Sequence, residues 1–163
     1  MGLLYERYHI NVFAYFYRCT SDTEKSEDLV HNVFIRLIKY RQSFTGEGQF
    51  VYWLFATARN AWYDDHQKKD PLRLKEEVQD LVEMSEQSLQ PDEDLEKTER
   101  KKILHQAMQK LSPEKRDAIQ LSRFEGLKYH EIAVISNCTG NAIKSRVQRG
   151  LIELKDLMEN IEI

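Results

Sequence analysis

Apolar positions recur at helical period along most of the chain, and no stretch sustains period-two alternation. Leu29, Val30, Val33, Phe34, Leu37 and Ile38 form one stripe of a predicted helix that runs out near Tyr40. Before it, a segment from about Leu3 to Cys19 is rich in aromatics: Tyr5, Tyr8, Phe13, Tyr15, Phe16 and Tyr17. The polar break Thr20–Thr23 offers Ser21 or Asp22 as the cap of the second helix. A short loop follows from Ser43 to Gln49, punctuated by Gly46 and Gly48. The third helix, about Phe50 to Lys68, places Phe50, Trp53, Leu54, Thr57, Ala58 and Ala61 on one side. Three such helices can bury a small common core.

Asp70-Pro71 ends this block, because proline disfavours helix in the residue before it. Leu72 to Asp94 is polar and acidic, with scattered hydrophobics. It reads as a solvated tether, with a segment that mimics nucleic acid or lies in a basic channel of a partner as the sharper alternative. Helical patterning returns from Leu95, with Ile103, Leu104, Ala107, Met108 and Leu111. Ser112-Pro113 then opens a helix that is predicted to end at Gly126. Tyr129 to Ile135 is a short helix whose Ala133 permits a close crossing. Ser136-Asn137 makes a turn, since asparagine tolerates left-handed backbone. Thr139 is placed to cap a last helix that buries Ile143, Val147, Leu151, Leu154 and Met158. The predicted fold is all-α: two small helical domains, 1–70 and 95–163, joined by an acidic linker, 71–94, with a helix-turn-helix in the second.

Charge sharpens this picture once it is divided along the chain. The net charge of −3 disfavours nucleic acid at first sight. Yet Glu76 to Glu99 holds ten acids against one base, whereas Lys128 to Arg149 holds four bases and one acid. An acidic middle hides a basic end, and phosphates respond to the local distribution. On the last helix Gly140, Asn141, Lys144, Ser145, Gln148 and Arg149 lie opposite the apolar stripe. A short helix, a turn and a capped longer helix with a polar front, in that order, point to DNA reading in a major groove. Arg146 and Arg149 can meet phosphates or bases.

Other chemistry is poorly supported. There is no Gly-rich phosphate loop, nucleophile motif or clustered set of metal ligands, and the five histidines are dispersed. The sequence predicts no enzyme, cofactor, metal or small-molecule substrate. No apolar run is long enough to insert in a bilayer, and Met1–Tyr8 lacks a signal-peptide pattern, so a cytoplasmic protein is expected. Cys19 and Cys138 read as reduced core or near-core thiols, with a special role for Cys138 as the alternative.

Two sets of motifs now fit together. Leu111-Ser112-Pro113-Glu114-Lys115-Arg116, Leu127-Lys128-Tyr129-His130-Glu131-Ile132-Ala133 and Ile143-Lys144-Ser145-Arg146-Val147-Gln148-Arg149 resemble region 4 of bacterial RNA polymerase sigma factors. Leu4-Tyr5-Glu6-Arg7-Tyr8, Glu27-Asp28-Leu29-Val30 with Val33-Phe34, and Trp53-Leu54-Phe55 with Ala58-Arg59-Asn60 resemble region 2. A free-standing helix-turn-helix regulator would explain only the first set. The short linker also resembles that of the extracytoplasmic-function (ECF) group. The chain departs from the family pattern at His31-Asn32, where Gln-Glu is common, and at Ser136 and Cys138, where larger aliphatics are usual.

The resemblance implies a specificity subunit that binds core RNA polymerase, directs it to promoters and helps open the duplex. It implies that Asp28, His31, Asn32 and Arg36 face the polymerase. Phe44, Thr45, Gln49, Tyr52, Arg59, Asn60, Tyr63, Lys68 and Lys69 would take the −10 element, with Trp53 and Leu54 in the core. Thr139, Gly140, Asn141, Lys144, Ser145, Arg146, Gln148 and Arg149 would read the −35 element. It also implies an anti-sigma factor as a partner.

Overall fold

The computed structural model describes residues 2–44, 50–67 and 95–162. Among these residues the regular structure is helical and no strand occurs. The chain divides into two compact units, Met1–Ser88 and Leu89–Ile163. The expected linker, 71–94, lies outside the described residues, as do Thr45, Gln49, Lys68 and Lys69.

In the first unit α1 (Gly2–Thr20), α2 (Thr23–Lys39) and α3 (Phe50–Gln67) pack on one another. The joint between α1 and α2 is built from short polar side chains. Ser21 takes a left-handed φ of 54°, which turns the chain sharply. Asp22 is the N-cap, its carboxylate accepting from the Lys25 N–H at 3.1 Å. Ser26 is fully buried; its hydroxyl donates to the Asp22 carbonyl at 2.6 Å and lies 2.8 Å from the Thr20 hydroxyl. Burial, reinforced by the charge of Asp22, raises the pKa of Tyr17.

The core of this unit combines the predicted α2 stripe with aromatics. Tyr15, Phe16, Phe55 and Trp62 are buried beside Leu29, Val33, Leu37 and Leu54. Tyr15 meets Phe55 edge to face, with ring centroids 5.7 Å apart. Trp53, expected on the inner side of α3, is only half-buried, and its ring stacks on Phe44.

In the second unit α4 (Leu95–Lys110), α5 (Pro113–Ile119) and α6 (Tyr129–Ser136) all pack on α7 (Gly140–Glu162). Ala107, Met108, Leu111, Ile119 and Leu154 form the core, with Leu104, Leu151 and Met158 packed against it. Ser112 caps α5 and Pro113 occupies its first turn, as expected. The helix does not run regularly to Gly126, however. It widens into a π turn over Gln120–Phe124, with the Glu125 N–H reaching the Gln120 carbonyl at 3.1 Å. Six consecutive residues, Arg116 to Leu121, are buried, so this segment is enclosed on every side and shows no single apolar stripe. Gly126, at φ +71°, takes the left-handed conformation expected just past the helix end.

Two features lock α7 in place. Gly150 is buried against α5: a Cβ there would lie 2.8 Å from Ile119 Cδ1. Beside this close approach the Lys115 ammonium pairs with Glu153 at 2.5 Å.

Candidate nucleic-acid interface

The helix-turn-helix forms from local backbone chemistry. The Lys128 N–H donates to the Glu131 carboxylate at 3.1 Å, which fixes the start of α6. Asn137 ends it in the left-handed conformation, φ 53° and ψ 50°. The Cys138 N–H returns to the Ala133 carbonyl at 3.0 Å. Thr139 then accepts from the Ala142 N–H at 3.1 Å and caps α7.

This geometry decides what α7 presents. Ile143 and Val147 are fully buried, and Ile132 and Ala133 of α6 are buried too. Thr139, Asn141, Lys144, Ser145, Gln148 and Arg149 are exposed, with Gly140 half-buried. At 100° per residue, Asn141, Lys144, Ser145, Gln148 and Arg149 share the half of the helix opposite Ile143. The front is therefore a set of donors and acceptors on a rigid element, suited to the edges of duplex bases. Arg146 differs from this set. It is half-buried, and its Nη1 lies 3.7 Å from Cys138 Sγ.

The first unit offers different chemistry. After a short 3-10 turn, Arg41–Ser43, Phe44 stacks on Trp53 with centroids 5.1 Å apart and planes 24° apart. Phe50 meets both rings edge on, at 6.0 Å from Phe44 and 5.8 Å from Trp53. Tyr8 lies 5.3 Å from Phe50 and extends the aromatic wall. Further along α3, Tyr52, Arg59 and Tyr63 are spaced so as to share one side, with Asn60 exposed next to them. The Arg59 guanidinium sits over the Tyr63 ring, 4.4 Å from its centroid. Trp53 was assigned to the core from sequence, yet it belongs to this accessible aromatic group. Its apolar character gave no signal of that; only the position of Phe44 does.

The four residues expected to face a polymerase separate into two places. Asp28 and Asn32 line a cleft of about 370 Å³ with Asp22, Glu24, Lys25, Leu29 and Asp65. His31 lines an apolar groove with Tyr5, His9, Ile10, Phe13, Glu27 and Val30. Arg36 is held by its neighbours: its Nε donates to Asn32 Oδ1 at 2.9 Å, and its Nη1 pairs with Asp64 at 3.0 Å. Lys25 likewise pairs with Asp65 at 3.2 Å. Sequence reasoning missed Asp64, Asp65 and Lys25, because nothing local connects positions so far apart in the chain.

Among the described residues no three His, Cys, Asp or Glu side chains are gathered as metal ligands. Among the same residues no helix is long and apolar enough to cross a membrane.

Known proteins resemble the chain along most of its length. The family model for Sigma-70 region 2 matches residues 4–71, and that for Sigma-70, region 4 matches residues 101–154. The ECF RNA polymerase sigma factor SigX of Bacillus subtilis is 27% identical over 160 residues, covering 96% of this chain and 82% of that protein. The RNA polymerase sigma factor CarQ of Myxococcus xanthus is 27% identical over 164 residues, covering 98% and 90%. Among solved structures, the sigma factor RpoE of Bartonella quintana, in complex with the anti-sigma factor NepR, aligns with a TM-score of 0.74 at 26% identity, covering 97% of this chain and 96% of that one.

Proposed function

We propose, on the premise that this chain belongs to the sigma-70 family of RNA polymerase subunits and to its ECF group, that its two units hold the two promoter elements in different forms. The protein recognises promoters and directs transcription initiation by core RNA polymerase, which supplies the chemistry. It is not itself an enzyme. The observation that carries the division of labour is the contrast between the exposed polar front of α7 and the aromatic wall of the first unit.

α7 takes the −35 element as duplex. Asn141, Lys144, Ser145, Gln148 and Arg149 meet base edges, and Arg146 and the residues at the capped start, Thr139 and Gly140, lie beside the phosphates. The first unit takes the −10 element as single strand. Unstacked bases need π faces and edge donors, and Phe44, Tyr52, Asn60 and the Arg59–Tyr63 pair supply them. Thr45, Gln49, Lys68 and Lys69, outside the described residues, complete this set. Asp28, His31, Asn32 and Arg36 of α2 face the polymerase. The domain limits are 1–70 and 95–163, with 71–94 as linker. The working place of such a subunit is the cytoplasm, where an anti-sigma factor is its second protein partner.

The test is transcription from core RNA polymerase with and without the protein on a library of genomic fragments. Start sites that require the protein, sharing upstream sequence at two positions, are the expected result. A folded protein that does not bind active core would overturn the proposal and leave a free-standing DNA-binding regulator.

A further inference from the structure

The turn of the helix-turn-helix holds a contact that the DNA-reading front does not use. Cys138 sits between the left-handed Asn137 and the capping Thr139, and its backbone is tied to α6 through the Ala133 carbonyl. Its sulfur is therefore an acceptor anchored to the turn. Arg146 lies two helical turns along α7. Helical side chains lean toward the helix N-terminus, so its long stem carries the guanidinium back along the helix to the thiol, at 3.7 Å. A guanidinium has five N–H donors and a thiol sulfur is a weak acceptor, so this contact occupies one donor and leaves most of the fork free.

The angular position of Arg146 decides what that fork can reach. At 100° per residue it is about 60° from the buried Ile143 and about 140° from Asn141 at the centre of the polar front. It is half-buried, whereas Lys144, Ser145, Gln148 and Arg149 are exposed. A helix seated in a major groove faces base edges along its front and phosphate walls along its flanks. A free arginine would lose rotamer entropy on docking there; one already held against the turn loses less.

We infer that Cys138 is a positioning residue, whose thiol holds the Arg146 guanidinium at the flank of α7 to grip a DNA phosphate. The inference rests on the reading of α7 as the duplex-reading helix. Arg146 then sets affinity and register, and base choice belongs to the front.

The test uses core polymerase reconstituted with the full chain, bound to a promoter fragment recovered by transcription from genomic fragments. Binding is measured across a range of salt concentrations, with a thermal melt for each variant. Arg146→Ala is expected to make the slope of log affinity against log salt shallower by about 0.9, the value for one lost phosphate contact, with base preference unchanged. Cys138→Ala is expected to weaken binding about threefold and to make the slope shallower in the same direction. Cys138→Ser, which keeps an acceptor, should restore both. Cys138→Ala should add nothing to Arg146→Ala.

Loss of affinity in Cys138→Ala at an unchanged slope, or full additivity with Arg146→Ala, would overturn the inference by making the thiol merely structural. A changed base preference in Arg146→Ala would overturn it as well. Lys144→Ala and Arg149→Ala keep the two levels apart. If both weaken binding while Cys138→Ala has no effect, the positioning role alone falls. If neither weakens it, the assignment of α7 falls and the inference with it.

Discussion

The two units are both small helical assemblies, yet they present opposite kinds of surface. In the first, the candidate contacts are rings: Phe44 on Trp53, Phe50 against both, and Arg59 over Tyr63. These rings are half-buried and partner one another. In the second, the candidate contacts are single exposed polar side chains on a helix whose opposite face is sealed by Ile143 and Val147. Aromatic faces suit unstacked bases and tolerate every base type, whereas donors and acceptors on a rigid helix suit paired edges. The difference teaches that two helical units of one chain can carry surfaces suited to different forms of DNA, the contrast on which the proposed division of labour rests.

The largest expected effect tests whether the cores are as separate as the surfaces. Phe55 is 1% exposed and packs against Tyr15, so Phe55→Ala should cost about 3–5 kcal/mol. Hydrogen exchange should show that loss in α1 to α3 and leave protection in α4 to α7 unchanged. Loss of protection in both would make the two cores one cooperative body.

The next effect concerns the form of DNA. Arg149→Ala should weaken binding to the duplex −35 element by about 1–3 kcal/mol, with the helical circular dichroism unchanged. Phe44→Ala should weaken binding to the opened −10 strand by about 1–3 kcal/mol per lost stack, with duplex binding intact. If both variants act on the same form of DNA, the contrast between the units disappears.

A smaller effect concerns packing in the second unit. A methyl group at Gly150 would approach Ile119 Cδ1 to 2.8 Å. Gly150→Ala should therefore destabilise this unit by about 1 kcal/mol, at the low end for overpacking because the obstacle is the end of a side chain. Adding Ile119→Val, which shortens that side chain, should recover part of the loss. An additive double variant would show that the crossing is looser than this distance implies.

The exposed ion pair of the first unit comes next. A double-mutant cycle on Arg36 and Asp64, 3.0 Å apart, should return under about 1 kcal/mol, since Asp64 is mostly solvated. A larger coupling would make the pair a structural clasp of α2 on α3. The smallest effect appears only in alkali. Tyr17 keeps its proton more firmly when folded than when unfolded. Its contribution is present below the ordinary tyrosine range near pH ~10 and is lost as pH rises through the raised folded value. Melting of the first unit should drop there, and Tyr17→Phe should remove that part of the drop.

The sequence by itself determined what depends on near neighbours in the chain. Helical period gave the apolar stripe of α2 and the buried side of α7. Cap chemistry gave Asp22, one of the two residues offered, and also Ser112, Thr139 and the left-handed Asn137. Opposition to the α7 stripe also made Asn141, Lys144, Ser145, Gln148 and Arg149 legible as one exposed front, because a helix fixes the angle between its own residues. Tertiary structure decided whatever joins distant positions. The stripe rule placed Trp53 on the inner side of α3, but its ring stacks on Phe44, nine positions earlier. Arg116 to Leu121 are buried on all faces and Gln120–Phe124 widens into a π turn, neither of which local periodicity encodes. Arg36 meets Asp64 only after α2 and α3 pack. Arg146 and Cys138 are only eight residues apart, yet the turn must first close before the thiol can hold the guanidinium at the flank. Short-range geometry follows from backbone dihedrals and side-chain size, whereas these contacts exist only once the core has brought their elements together.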